Sequence, residues 1–172
     1  MNPMQLPRIE KLTLNIGAGK EQTKLDKAVL VLKSLTGIEP VKTVTQKRIA
    51  AWGLRPGLPI GCMITLRRNS AQTMLKRLLK AKEFTLKDTN FDTNGSISFG
   101  IPEHIDIDGA QYDPKIGVMG LQVCVTLEKP GYHIKRRSLH RAVVGKKHRI
   151  SQQEAITFMK TAFGIKMTGE TS

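Results

Sequence analysis

The sequence predicts an α+β protein in which strands outnumber helices. Five segments alternate or cluster apolar residues as strands do, at 9–16, 41–45, 59–67, 96–101 and 121–127, against three with helical spacing. The strands and helices follow no regular βαβ repetition, which argues against a parallel, doubly wound sheet. At 172 residues the chain suits a single domain spanning 1–172, long enough to bury a core without disulfides or metals.

In the segment 9–16, Leu12, Leu14 and Ile16 fall on one side and Lys11, Thr13 and Asn15 on the other, so the strand has one wet face. Leu25, Ala28, Val29, Leu32 and Leu35 then recur at helical spacing, and Gly37 supplies a C-terminal stop. Pro40 opens the second strand, and the third carries Ile60, Ile64 and Leu66 as candidate core residues. Met74, Leu75, Leu78 and Leu79 form the apolar stripe of a second helix, with Lys76, Arg77 and Lys80 on its wet side. Asn94-Gly95 is a turn signal ahead of the fourth strand, and 121–127 is the cleanest alternating strand. Ser151 and Glu154 form a capping-box pattern before Ala155, Phe158, Met159, Ala162 and Phe163, and Gly164 ends that helix.

The formal charge is +14, from 28 Lys and Arg against 14 Asp and Glu. Such an excess is self-repelling and attracts a polyanion, of which nucleic acid is the expected class. A membrane partner would call for a basic amphipathic helix or an apolar span, and neither is apparent. The start of the chain has no apolar signal core, so a cytoplasmic location is expected. Cys62 and Cys124 both lie in strand-like segments and are expected to be buried, reduced thiols.

The charges are segregated along the chain. Residues 40–82 hold ten basic side chains and no acidic one, and residues 129–149 hold eight and none. Between them, residues 83–113 carry seven acidic side chains and one basic. Solubility alone does not require such separation. Lys42, Lys47, Arg48, Arg55, Arg67 and Arg68 in the first basic tract, and Lys135, Arg136 and Arg137 in the second, are the candidate phosphate contacts. Thr13, Asn15, Thr43 and Thr45 add short donors suited to phosphate and 2′-hydroxyl groups. The stretch 129–150 reads as a basic insertion before the last helix. Its cations repel and its apolar anchors are few, which predicts mobility in the free protein and ordering on RNA.

Two motifs invite enzymatic readings. Gly17-Ala18-Gly19-Lys20 follows a strand and precedes a helix, but a Walker A loop needs glycine where Leu14 stands and Ser or Thr where Glu21 stands. A dinucleotide fingerprint would need glycine at Gln22. The remaining expectation is a flexible turn whose amides and Lys20 touch a backbone phosphate. Glu103, His104, Asp106, Asp108 and Asp113 are dense enough to raise a metal-dependent nuclease as a rival. They sit on one Pro- and Gly-broken stretch with no complementary ligand set elsewhere, so an acidic loop facing a cationic partner is preferred. No histidine combines with a cysteine at zinc spacing, and no cofactor or metal is expected. Trp52, beside Arg48 and Arg55, either stacks on a base or anchors a loop.

Several segments taken together resemble the universal large-subunit ribosomal protein five family. The run Leu12-Thr13-Leu14-Asn15-Ile16-Gly17-Ala18-Gly19 looks like the family's first strand and turn. Thr36-Gly37 with Pro40-Val41 and Thr43 is similar to its next junction, and Lys47-Arg48-Ile49-Ala50, Arg55-Pro56-Gly57 and Pro59-Ile60-Gly61-Cys62, continued by Thr65-Leu66-Arg67, to its basic loop. Phe91-Asp92, Gly95, Glu103-His104, Tyr112-Asp113 and Gly120 follow in family order, so the resemblance covers nearly the whole chain. Lys129-Pro130-Gly131-Tyr132 and Lys147-His148-Arg149-Ile150 look like the archaeal and eukaryotic branch. Trp52 departs from the pattern, where a smaller aromatic is usual.

The resemblance implies a mainly antiparallel sheet with helices packed on one face. It implies a non-enzymatic constituent of the large ribosomal subunit that binds 5S rRNA through the first strands and basic loop. It implies further contacts to large-subunit rRNA, to P-site tRNA near Lys47, Arg48, Trp52 and Arg55, and to a basic small-subunit protein, for which the acidic Glu103, Asp106 and Asp108 are suited. A free-standing RNA chaperone or translational repressor is the third alternative beside the nuclease.

Overall fold

A computed structural model describes residues 2–168. Alternation of buried and wet positions builds the first strand, β1 (Arg8–Gly17), whose Leu12, Leu14 and Ile16 are fully buried. It is the centre of a five-stranded sheet with β2 (Val41–Val44), β3 (Pro59–Leu66), β5 (Ile97–Ile101) and β6 (Leu121–Glu128), in the order β2-β3-β1-β6-β5. Every neighbouring pair is antiparallel, as expected.

The register decides which side chains share a face. Leu12 lies opposite Leu66 and Val125, and Leu14 opposite Ile64 and Val123, so one face is continuously apolar across three strands. Two amphipathic helices cover it. The first, α1 (Gln22–Thr36), buries Leu25, Ala28, Val31, Leu32 and Leu35, and stops where Gly37, at φ 71°, donates its N–H to the Lys33 carbonyl. The second, α2 (Arg68–Ala81), buries Ala71, Met74, Leu75, Leu78 and Leu79. Alternation sends the intervening residues to the other side, which α1 and α2 leave uncovered.

Three short elements lie outside the sequence expectation. Strand β4 (Thr85–Lys87) pairs in parallel with β7 (Lys166–Thr168), and α3 (His133–Arg136) is a single helical turn inside the basic insertion. Runs of three or four residues are too short to show a period. The last helix, α4 (Gln152–Phe163), starts as expected: Ser151 and Glu154 exchange side-chain and backbone hydrogen bonds, and Gly164 ends it at φ 66°. The expected strand at 41–45 ends one residue earlier, and Ile60 is half-buried because it is the extra residue of a bulge between β2 and β3.

The two cysteines are free, but they are not both buried. Cys62 lies opposite Ile16 on the helix-covered face, while Cys124 lies opposite Thr13 on the open face and is half-buried. The sheet itself separates the thiols.

Candidate nucleic-acid interface

The uncovered face of the sheet is polar and small-featured. Thr13 and Asn15 on β1 sit beside Thr65 and Met63 on β3, and across β6 beside Cys124 and Gln122. Thr43 joins this face from β2, where it lies opposite Gly61, which in turn lies opposite Gly17. With one β1 residue every ~3.3 Å, the face is about 30 Å long. Sequence reading missed Thr65 and Thr126, whose signal was their place at the alternate positions of apolar strands.

Both ends of this face carry cations. At the Gly17 end, β2 and β3 are joined by a loop that closes on itself through paired hydrogen bonds between Ile49 and Leu54 and between Thr45 and residues 57–58. Lys47, Arg48 and Arg55 are exposed on it and have no carboxylate partner among the described residues. Leu54, 7% exposed, is the apolar anchor that sequence reading overlooked. Trp52 is 67% exposed, which removes the anchoring alternative for it. Lys20 is also exposed and reaches this loop, its Cδ standing 3.8 Å from where a Cβ on Gly53 would lie.

Several expected contacts are corrected by the geometry. The amides of Ala18 and Gly19 cannot cradle a phosphate, because both donate to the Ile60 carbonyl at 2.9 and 3.0 Å. Thr45 is buried at the base of the loop and its hydroxyl is shielded from solvent, without a hydrogen-bond partner among the described residues. Lys42 lies opposite Cys62, on the helix side of the edge strand, where it meets Asp26 of α1 at 3.4 Å. It therefore does not share the face of Thr13 and Asn15.

At the Arg8 end the cations are partly neutralised. Glu10, the extra residue of a bulge between β1 and β6, meets Arg67 at 3.5 Å and Arg136 at 2.8 Å. Glu128 binds Arg8 and Arg136, each at 2.8 Å. Arg137 donates to the His140 carbonyl. Lys129 is buried against Glu154, and burial of Val144 and Ile150 pins the far side of the insertion. The insertion thus has more anchorage than its composition implied, from three carboxylates that lie outside it. Arg68 and Lys135 remain exposed and without a carboxylate partner among the described residues.

The acidic stretch does not assemble a reactive centre. His104 is 2% exposed, and its Nδ1 accepts the Met119 N–H at 3.3 Å, so it holds the turn between β5 and β6. Asp108 pairs with Lys80 at 2.8 Å, and its carbonyl accepts from Arg77. Glu103 and Asp106 are exposed and unpaired among the described residues. Those residues contain no group of three or more His, Cys, Asp or Glu placed to hold a metal ion, and no helix long and apolar enough to cross a membrane.

An uncovered polar sheet face flanked by basic segments defines the class: a basic α+β protein whose surface suits a polyanion. Comparison with known proteins names the family. Residues 2–55 match the model of ribosomal protein L5, and residues 59–158 match the model of the same ribosomal family's C-terminus. The chain is 47% identical to the large ribosomal subunit protein uL5 of Nanoarchaeum equitans over 96% of its own length and 98% of that protein. It is 44% identical to the protein of that name from Methanococcus aeolicus, over 98% of this chain and 94% of the relative. For that of Sulfolobus acidocaldarius the identity is 43%, over 95% and 92%. The chain belongs to the ribosomal protein L5 family, whose members are structural constituents of the ribosome and not enzymes.

Proposed function

We propose that this chain binds 5S rRNA and attaches it to large-subunit rRNA, with the loop at 47–58 steadying P-site tRNA. The observation that carries this is the open face itself: Thr13, Asn15 and Thr43 present short donors on the surface that α1 and α2 leave uncovered, with cations at both ends. Short donors on a rigid sheet suit folded RNA, whose minor groove offers 2′-hydroxyls and phosphates rather than a deep readable groove. Lys47, Arg48, Arg55 and Arg68 supply phosphate contacts that position the RNA without specifying sequence. Glu103 and Asp106 supply the negative patch for a basic small-subunit protein, while Asp108 is engaged by Lys80.

Titration of 5S rRNA binding against salt tests this. Affinity falls linearly on log–log axes by roughly 0.7–0.9 per neutralised phosphate, so Arg48→Ala lowers the slope by about one. Thr13→Val with Asn15→Leu weakens binding while leaving the slope unchanged, since neither group is charged. Salt-independent affinity, or full affinity in the Thr13/Asn15 variant, overturns the assignment. Replacing residues 50–56 by a glycine linker leaves 5S rRNA binding measurable but speeds tRNA dissociation from reconstituted ribosomes. An unchanged dissociation rate overturns the tRNA role alone.

A further inference from the structure

Between the Arg8 end of the open face and the basic insertion lies a cavity of about 1000 Å³. Its wall carries five cations, Lys11, Lys135, Arg136, Arg141 and Arg149, together with the ring of Tyr132. Glu10 is the single carboxylate on the wall, and it is already paired with Arg67 and Arg136. Lys11, Lys135 and Arg141 have no internal acceptor for their side chains among the described residues. Three unpaired cations facing one concavity repel one another, and an anionic ligand relieves that repulsion.

The site is built rather than incidental. The bulge in β1 places Glu10, like Glu128, 2.8 Å from the same guanidinium nitrogen of Arg136, Nη2, so one guanidinium is fixed at the cavity wall. Tyr132 stands 6.1 Å from the ring of His148, which is itself held 2.7 Å from the Pro130 carbonyl. Asn94 and Ser96 add neutral donors and acceptors on the strand side. Cations beside an aromatic ring and a few amide and hydroxyl groups are what an unstacked nucleotide requires: phosphate contacts, a stacking plane and partners for a base edge. An acidic peptide would use the cations but has no need of the ring.

We infer that this cavity receives an unstacked nucleotide of single-stranded RNA, a looped or bulged position, with its phosphates on Lys135 and Arg141 and its base against Tyr132. The inference deepens, and rests on, the RNA-binding function proposed above. It makes the insertion a second RNA contact, separate from the loop at 47–58 at the other end of β1.

The test uses the full chain with two probes, a fluorescent oligouridylate of about eight nucleotides and 5S rRNA. Lys135→Ala with Arg141→Ala is expected to weaken oligouridylate binding about tenfold and to lower its salt slope by about one to two. Tyr132→Leu weakens it about fivefold or more without changing the slope, as loss of a stacking plane does. Val143→Glu, at a wall residue 80% exposed and hence free of the core, gives the same loss by repulsion and guards against misfolding of the other variants. Unchanged oligouridylate binding in all three overturns the cavity assignment, even where 5S rRNA still binds. Binding of an oligoglutamate peptide in place of the RNA, with the same dependence on Lys135 and Arg141, overturns it in favour of an acidic protein partner. Loss in the three variants combined with no wild-type affinity for 5S rRNA upholds the cavity and overturns the 5S rRNA assignment instead.

Discussion

The ammonium of Lys129 lies 2.9 Å from both carboxylate oxygens of Glu154, and this pair ties the start of the basic insertion to the first turn of α4. Lys129 is 4% exposed, whereas Glu154 reaches the surface. Glu154 also accepts the Ser151 N–H, so the same carboxylate caps the helix.

Glu154→Gln should therefore cost ~1–3 kcal/mol in urea unfolding, since a buried cation loses its charged partner. Lys129→Met added to that variant should recover part of the loss, because no buried charge then remains unpaired. Burial pushes the Glu154 carboxyl up, but hydrogen bonds from Lys129 and Ser151 and the Lys129 charge outweigh it, leaving the pKa below the ordinary 4.5. A lowered carboxylate pKa stabilises the fold above the unfolded value and loses that contribution as pH falls through the folded one. The wild type should lose more stability than Glu154→Gln on acidification through this range. Equal losses would show that the pair contributes nothing.

The two thiols should react at very different rates. Burial raises the Cys62 thiol to about 11, with the Lys42 charge opposing only weakly, so little thiolate exists at neutral pH. An aromatic disulfide reagent should label Cys124 in the native protein and Cys62 only on unfolding. Native labelling of both at comparable rates would place Cys62 on a wetter surface than the sheet allows.

Gly61 of β3 lies between its partners Gly17 of β1 and Thr43 of β2 on the open face. A Cβ there would lie 2.8 Å from the Ile16 carbonyl oxygen and 3.0 Å from the Thr43 hydroxyl. Backbone cannot yield cheaply, so Gly61→Ala should destabilise by ~1–3 kcal/mol with an unchanged urea m-value. A loss under ~0.5 kcal/mol, the range of neutral surface changes, would mean the strands can part there.

Trp52 gives the opposite expectation. Its exposure predicts that Trp52→Ala changes stability by no more than ~0.5 kcal/mol. If the loop acts on tRNA, the same variant should weaken tRNA retention on ribosomes. Leu54→Ala, which removes the loop's buried anchor, should instead cost ~2–5 kcal/mol, towards the lower end for so small a cluster. A large stability loss in Trp52→Ala would return that residue to an anchoring role.

The sequence by itself determined what depends on neighbours a few residues apart. Alternation in 9–16 and 121–127 identified the core face of the sheet, helical spacing from Leu25 and Met74 identified its cover, and Ser151 with Glu154 marked the last helix. The segregation of charge and the family resemblance were equally legible, because neither needs coordinates. Tertiary structure alone decided which cations remain available. Arg8 and Glu128 are 120 residues apart, and the bulge at Glu10 that engages Arg67 and Arg136 exists only once β1 pairs with β6. In the same way register, not composition, put Cys62 and Cys124 on opposite faces and turned Lys42 towards Asp26. Periodicity is a property of one segment, whereas an ion pair belongs to two segments and to the register that brings them together.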